Sequence, residues 1–416
     1  MVTKDLLRQV IYEQREQHEN LGVQRLLPLS QVTSPEILVI SGVRRCGKSV
    51  LMQQIKSRLQ EQDYYMSFDD DRLLYFTVED FQTLYDVFAE DFGLQHTFYL
   101  DEVQLIAGWE RFVGRLYRQN NKVFVTGSNA FMLSKELGTL LTGRHLKQDL
   151  FPMSLPEYLS MKGLEWGKAD LYTTEGRAKM LNMQNRYLTD GGFPQYLSTG
   201  NPRYLKELYN DILYRDIVVR HKLPSDRQLR EVAYYLASNY THRFTYNSVS
   251  KATNVKSSDT VSDYIRYMEE AYLVGVLTKY DYKVGEQLKS PKKIYFIDNG
   301  LVAQIGFGFS DNWGARLENA VYLELRRREQ ELYYFSDDGE CDFIVKQGGG
   351  IVSAYQVTTS MHTASIRERE EKGLLAAMNA FNLKEGFIIT QEQSEEKVLP
   401  DGRKIHVLPY YRWILE

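Results

Sequence analysis

An α/β chain is what this sequence predicts: a parallel-sheet core, a mostly helical middle, and a second α/β region towards the C-terminal end. Three observations carry that prediction. Short apolar runs alternate with helix-length segments over the first 150 residues, the pattern of strands joined by crossover helices. A glycine-bearing turn, Gly42-Val43-Arg44-Arg45-Cys46-Gly47-Lys48-Ser49, lies between one such run and a helical segment. After residue 294 the α/β pattern returns, following a stretch that is mostly helical over 156–225 and then holds one apolar strand at 273–277.

The elements follow in order. Residues 4–19 set Leu6, Val10, Ile11 and Tyr12 among charges, as an amphipathic helix does. Residues 36–41 form a short apolar run that reads as a buried strand. A helix is expected over 49–62, and a second strand over 64–68, leading into Asp69-Asp70-Asp71. Strands are expected over 97–100, ending at Asp101, and over 122–126. Residues 156–225 read as mostly helical, broken once by Asp190-Gly191-Gly192-Phe193-Pro194. Three short helices and a strand at 273–277 fill 226–280. Strands at 294–298, 332–335, 343–345, 352–357 and 386–390, with helices at 315–329 and 366–381, complete the chain. The expected domains are a core with its N-terminal helix (1–158), a helical lid (159–225), a third domain (226–292) and a fourth (293–416).

Composition narrows the class. The chain has 416 residues, 43% hydrophobic and 25% charged, with a formal net charge of −4. Those values suit a soluble globular protein with no global basic field to recruit nucleic acid. Local basic stretches remain at Arg326-Arg-Arg328, 115–122 and 289–293. The two cysteines, Cys46 and Cys341, cannot build a disulfide framework or a zinc cluster. The N-terminus lacks the apolar segment of a signal peptide, and no apolar run is long enough to span a bilayer. A cytoplasmic protein with no membrane partner is expected.

The turn at 42–49 fits G-x-x-x-x-G-K-[ST], and it follows a strand and opens a helix. In that pattern backbone N–H groups from Gly42 to Val50 curl around phosphates, Lys48 reaches the β- and γ-phosphates, and Ser49 ligates Mg²⁺. Phe98-Tyr99-Leu100-Asp101-Glu102 is an apolar strand ending in two carboxylates. Asp101 is the candidate for the Mg²⁺ shell, and Glu102 for activating the attacking water. Thr126-Gly127-Ser128-Asn129 ends the next strand in small polar groups suited either to sensing a γ-phosphate or to capping a helix. Arg144 closes a further helical segment. It is either a guanidinium acting on a neighbouring subunit's site or a cation favoured at a helix C-terminus.

Taken together these residues resemble the AAA+ superfamily. Within it the chain is similar to a bacterial and archaeal group (AAA_14/DUF4143) that joins an AAA-type ATPase domain to a C-terminal region of unknown function, DUF4143. The P-loop, Ser67-Phe-Asp-Asp-Asp-Arg72, Thr126-Gly-Ser-Asn129, Leu133-Ser-Lys-Glu-Leu137, Leu141-Thr-Gly-Arg144 and Phe151-Pro-Met-Ser-Leu155 follow that group's order. So do Gly191-Gly-Phe-Pro194, Tyr214-Arg-Asp216, Lys293-Ile-Tyr-Phe-Ile-Asp298-Asn-Gly and Leu317-Glu318-Asn. The resemblance implies ATP as ligand, Mg²⁺ as its cation, Ser128 or Asn129 as sensor, and Arg144 as arginine finger, hence self-association. It also implies Gly192 and Pro194 on a lid near the adenine.

The C-terminal half carries two further resemblances. Residues 244–254 followed by 257–272 look like a winged helix, offering Lys251, Lys256, Ser257, Ser258 and Thr260 to DNA, or serving as a structural or protein-binding module. The last segment resembles the PD-(D/E)xK nuclease fold, with Glu318 as helix acid and Asp342 as strand acid. There Gln356 and Thr358 stand where an acid and a lysine belong. A glutamine gives a cation only a dipole, and threonine cannot carry the lysine's charge. A degenerate nuclease is expected, with Lys372 a remote substitute. Three readings follow: an oligomeric ATPase acting on branched or duplex DNA without efficient cleavage, an ATP-dependent nuclease, or a nucleotide-driven switch binding a protein.

Overall fold

The computed structural model describes residues 2–16, 21–27, 29–128, 141–306 and 312–416. Asn129 and the 133–137 segment lie outside them. The chain divides into two compact units, residues 1–150 and 151–416. Among the described residues no helix is long and apolar enough to cross a membrane.

The first unit is built on β1 (Ile37–Ser41), β2 (Tyr65–Ser67), β3 (Thr97–Asp101), β4 (Lys122–Gly127) and β5 (His145–Asp149). They form one parallel sheet in the order β2-β3-β4-β1-β5. Every residue of β1 is buried, as a central parallel strand covered on both faces requires. Strand β5 is an edge, and its sequence His-Leu-Lys-Gln-Asp carries no apolar run to mark it; only the resemblance, through Phe151-Pro-Met-Ser-Leu155, pointed to a strand end nearby. The N-terminal helix, Lys4–Glu16, sends Leu7, Val10 and Ile11 into an aromatic-rich core that also holds Trp109. There Phe81 stacks on Phe112 at 4.5 Å and Tyr64 on Phe88 at 4.8 Å.

The helix after the glycine-rich turn runs only Lys48–Lys56, shorter than expected. Arg58 and Leu59 donate back to Ile55 and Lys56, tightening the chain into a turn that returns it to β2. Because β4 lies between β1 and β3, the end of β4 falls between the turn and the acid pair.

The second unit opens with helices Leu155–Met161, Lys168–Tyr172, Thr174–Asp190, Pro194–Thr199 and Pro202–Asp211. The last continues as a π-helical stretch, Ile212–Val219, that contains Tyr214-Arg-Asp216. Helix Arg227–Ser238, β6 (Arg243–Phe244), helices Tyr246–Ala252 and Ser258–Glu270, β7 (Val274–Thr278) and β8 (Lys292–Phe296) follow. Their antiparallel sheet has the order β6-β8-β7.

Helix Trp313–Arg327 then leads to β9 (Glu331–Ser336), β10 (Glu340–Gln347) and β11 (Gly350–Val357). Helix Ala364–Ala380 precedes β12 (Glu385–Thr390), β13 (Glu395–Val398) and β14 (Lys404–Pro409). This sheet has the order β13-β14-β12-β11-β10-β9. Pairing is antiparallel from β9 to β11, parallel through β12 and β14, and antiparallel again at β13. The register of β10 against β9 slips between Cys341 and Ile344, a bulge that re-aims Asp342.

Two distant motifs meet in this unit. Asp298 accepts from Gly192 N–H at 2.5 Å and from Leu301 N–H at 2.8 Å. A Cβ on Gly191 would lie 2.2 Å from the Asp298 carboxylate, and one on Gly192 2.2 Å from the Met153 carbonyl oxygen. A Cβ on Gly300 would lie 2.1 Å from the Asp190 carbonyl oxygen. The Gly-Gly-Phe-Pro and Asp-Asn-Gly sequences are therefore two sides of one close-packed joint. Pro194 opens its helix, where the missing N–H costs nothing.

Candidate functional site: a P-loop with its acid pair

Strand β1 delivers the chain to the turn. Ser41 Oγ donates to Asp149 at 2.9 Å and its carbonyl accepts from Leu150 N–H at 2.6 Å, tying the ends of β1 and β5 together. A Cβ on Gly42 would stand 2.2 Å from the Leu150 carbonyl oxygen, so only glycine lets the loop leave this strand end. Arg45 and Gly47 have φ of 61° and 103°, and Cys46 N–H closes a turn on Val43 at 3.3 Å. Alternation of this kind gathers backbone N–H groups on one side of a loop, a concavity suited to anions. No side chain caps the following helix, which leaves its N-terminal N–H groups to the same concavity.

Val43 and Cys46 are buried beneath the loop, and burial pushes the Cys46 thiol up, which marks it as a packing residue. Arg44 is half-buried, whereas Arg45 and Val50 are exposed.

The Lys48 ammonium is buried at the centre. It donates to the Gly42 and Val43 carbonyls at 3.2 and 3.3 Å and lies 3.6 Å from Glu102 Oε1. Asp101 ends β3 almost wholly buried; Thr126 Oγ1 donates to its Oδ1, Tyr65 OH to its Oδ2 at 3.4 Å, and Ser49 is a further hydrogen-bond partner. Burial pushes the Asp101 carboxyl up and Glu102 adds to this, while Thr126, Ser49 and Lys48 pull the other way. Glu102 sits in the left-handed region at φ 51°, an arrangement that tightly packed functional sites tolerate. Its N–H donates to Thr126 Oγ1 at 2.9 Å, and its Oε2 accepts from Gln104.

The structure thus brings Gly42–Ser49, Asp101 and Glu102 together, as the sequence predicts. Ser128 is buried one residue past Gly127, which pairs with Ser41. Asn129 lies outside the described residues. The Arg144 carbonyl accepts from Ile37 N–H at 3.0 Å, at the far end of β1, roughly 17 Å of strand from Gly42.

Three participants went unassigned in the sequence. Thr126 was visible among small polar residues, but only the register of β4 singles out its hydroxyl. Gln104 follows the acid pair by two positions and carries no motif. Arg25 is buried and donates to the Cys46 carbonyl at 2.6 Å. Its segment is tied to the P-loop helix by Gln54, which accepts from Arg25 N–H at 2.9 Å and donates to the Leu21 and Val23 carbonyls at 2.7 and 2.8 Å. Nothing in the aperiodic segment 21–27 signals that role.

A second polar cluster lies in the second unit. Glu318 on its helix and Asp342 on β10 meet at one atom, the Lys293 ammonium of β8. Gln356 accepts from Asp342 N–H at 3.2 Å and donates to Glu370 at 2.6 Å. Thr358 donates to the Ser360 carbonyl at 3.2 Å. Lys372 lines the adjoining cavity of about 700 Å³, but the cation bonded to the acids is Lys293, which the sequence had offered in a basic stretch and at the head of the Lys293–Gly300 motif without a role at this centre. Among the described residues no group of three or more His, Cys, Asp or Glu is arranged to hold a metal ion.

Residues 34–159 match the family model of an AAA domain. Residues 182–312 match a domain of unknown function, DUF8612, a span that runs across the boundaries expected at 225 and 292. An uncharacterized protein of Methanocaldococcus jannaschii is 29% identical over 398 residues, covering 91% of this chain and 88% of the relative. An uncharacterized protein of Haemophilus influenzae is 28% identical over 407 residues, covering 91% and 94%. Among solved structures, a Walker-type ATPase of Pyrococcus abyssi aligns over 73% of this chain and 96% of its own, at 13% identity and a TM-score of 0.39. The AMPPCP-bound DnaA of Aquifex aeolicus aligns over 65% and 89%, at 17% identity and a TM-score of 0.23.

Proposed function

We propose that this chain binds and hydrolyses ATP as a self-associating AAA+ protein, and that its second unit engages DNA without cutting it efficiently. The observation that carries the ATP reading is the connected array of P-loop, Lys48, Glu102, Asp101 and Thr126. Lys48 is held where its charge faces the concavity of the loop, ready to exchange backbone carbonyls for phosphate oxygens. Ser49 and Asp101 fit Mg²⁺, a hard cation taking oxygen donors, which supplies neutralisation of phosphate charge when bound. Glu102, oriented by Gln104 and by its own N–H bond to Thr126, is the base that draws a proton from water as that oxygen attacks the γ-phosphorus and the bond to the ADP leaving oxygen breaks. Ser128 or Asn129 senses the γ-phosphate in this scheme, and Arg144 serves the neighbouring subunit's nucleotide.

The DNA reading is supported by the helix, strand and two-helix succession before β7 and β8, on which the winged-helix reading rests, and by the exposure of Lys251, Lys256 and Ser258. It is also supported by the nuclease-like order of helix, β9-β10-β11, helix and β12. The test is an ATPase assay, at low salt, with and without linear, forked and four-way DNA. Turnover that rises with DNA and vanishes in Lys48→Ala is expected. Absence of turnover refutes the ATPase; turnover indifferent to every DNA refutes the DNA reading and leaves a protein-binding switch.

A further inference from the structure

The Lys293 ammonium sits in an unusual place. It rises from β8, in the three-stranded sheet, and ends among acids of another sheet and helix: Asp342 at 2.8 Å, Glu340 at 3.0 Å and Glu318 at 3.1 Å. The contacts to Asp342 and Glu318 are hydrogen bonds donated by the ammonium, and Glu340 adds an ion pair. The residue is only 3% exposed. A buried cation of this kind survives only with paired charge around it.

We propose that Lys293 is the resident cation of this centre, its ammonium standing between helix acid and strand acid where a nuclease frame would hold a divalent metal, so that the cluster is a metal-free ionic joint between β8 and β10. The inference rests on the nuclease-like reading of the second unit but not on DNA binding.

Other oxygens of the cluster are committed in the same sense. Asp342 Oδ2 accepts from Val357 N–H at 3.0 Å, and Glu318 Oε1 also accepts from Tyr295 OH at 2.8 Å. Glu340 Oε2 pairs with Arg243 at 2.8 Å. Gln356, at the position of the missing acid, spends its oxygen on Asp342 N–H and its nitrogen on Glu370. Burial works against the Lys293 charge, yet Asp342, Glu318 and Glu340 outweigh it and hold the amine well above its ordinary range. Burial pushes the Glu318 carboxyl up, against the pull of Lys293. The positive charge of this centre thus comes from Lys293 on β8, while position 358 holds the neutral Thr358.

The test is a Mn²⁺ titration of nucleotide-free full-length protein, read by the loss of the free-ion EPR signal. Wild type and Glu318→Gln/Asp342→Asn are expected to be indistinguishable, whereas Lys293→Ala gains a saturable site that Lys293→Ala/Asp342→Asn lacks. Wild-type binding that Asp342→Asn abolishes overturns the proposal, as does a folded Lys293→Ala that binds no Mn²⁺. If Lys293→Ala fails to fold, the charge-compensated Lys293→Met/Glu318→Gln/Asp342→Asn is used. Its recovery of folding supports the ionic joint, and its failure to recover overturns it. No nucleic acid enters the titration, so its outcome is independent of the DNA assay.

Discussion

At the scale of residues, Thr126 joins the two acids that the sequence assigned separately. Its hydroxyl donates to Asp101 and accepts the Glu102 N–H, so one oxygen fixes both the buried carboxylate and the backbone that aims its neighbour. Burial already disfavours the Asp101 charge. Thr126→Val keeps the shape and removes the donor to that charge, a bond to an ionised group and thus about 1.5–3 kcal/mol. Turnover is expected to fall roughly 10–100-fold with ATP still bound, measured by steady-state kinetics beside a nucleotide-binding assay. Glu102→Gln removes the base itself and is expected to cost about 10²- to 10⁴-fold in turnover while trapping ATP. Normal turnover in Glu102→Gln removes Glu102 from that role. The P-loop and acid pair were legible because each is contiguous in sequence with its chemistry written in residue type. Thr126, Gln104 and Arg25 were not, because their roles arise from strand register and from a strap anchored on Gln54.

At the scale of elements, the joint around Asp298 shows what packs against glycines that the family resemblance had assigned to a lid. Gly192→Ala sets a methyl against the Met153 backbone, which cannot yield as a flexible side chain can. A loss of about 3 kcal/mol is expected, as for overpacking at a rigid site, read as a lower urea midpoint of the second unit. The same joint predicts a pH slope. Asp298 is raised from 3.8 to about 6, chiefly by burial, against the N–H donors of Gly192 and Leu301. The folded state therefore holds this proton more tightly than the unfolded state. Its contribution to stability is fully present below pH 3.8 and is lost as pH rises through about 6. The full swing is about 3 kcal/mol at most. Asp298→Asn is expected to flatten that slope between pH 4 and 6 in urea melts; an unchanged slope refutes the assignment. Apolar runs made β1, β3, β4 and β12 legible, since strands buried on both faces must be apolar. Strand β5 is polar, β13 is largely exposed, and β14 alternates Lys-Ile-His-Val, so none offered such a run.

At the scale of the whole molecule, the question is whether one chain completes its own site. Arg144 is anchored to Ile37 at the start of β1, and its P-loop begins past the other end of that strand. A parallel strand of that length sets them roughly 17 Å apart along the sheet. That backbone distance from its own P-loop is why the proposed scheme has Arg144 serve a neighbour's nucleotide and not its own. A guanidinium supplied in trans stabilises charge on the transferring phosphoryl group and is worth about 10³- to 10⁵-fold in turnover in P-loop systems. Arg144→Ala is therefore expected to bind ATP with ordinary affinity and to hydrolyse it poorly, whereas Lys48→Ala fails at binding. The two defects lie on opposite sides of the proposed subunit contact, so mixing the inactive proteins places an intact P-loop against an intact Arg144 at some contacts. Activity that emerges only in the mixture, and rises with total protein concentration as self-association requires, is the expected result. A mixture as inactive as its parts, or an Arg144→Ala protein with wild-type turnover, returns Arg144 to a structural role at the head of β5.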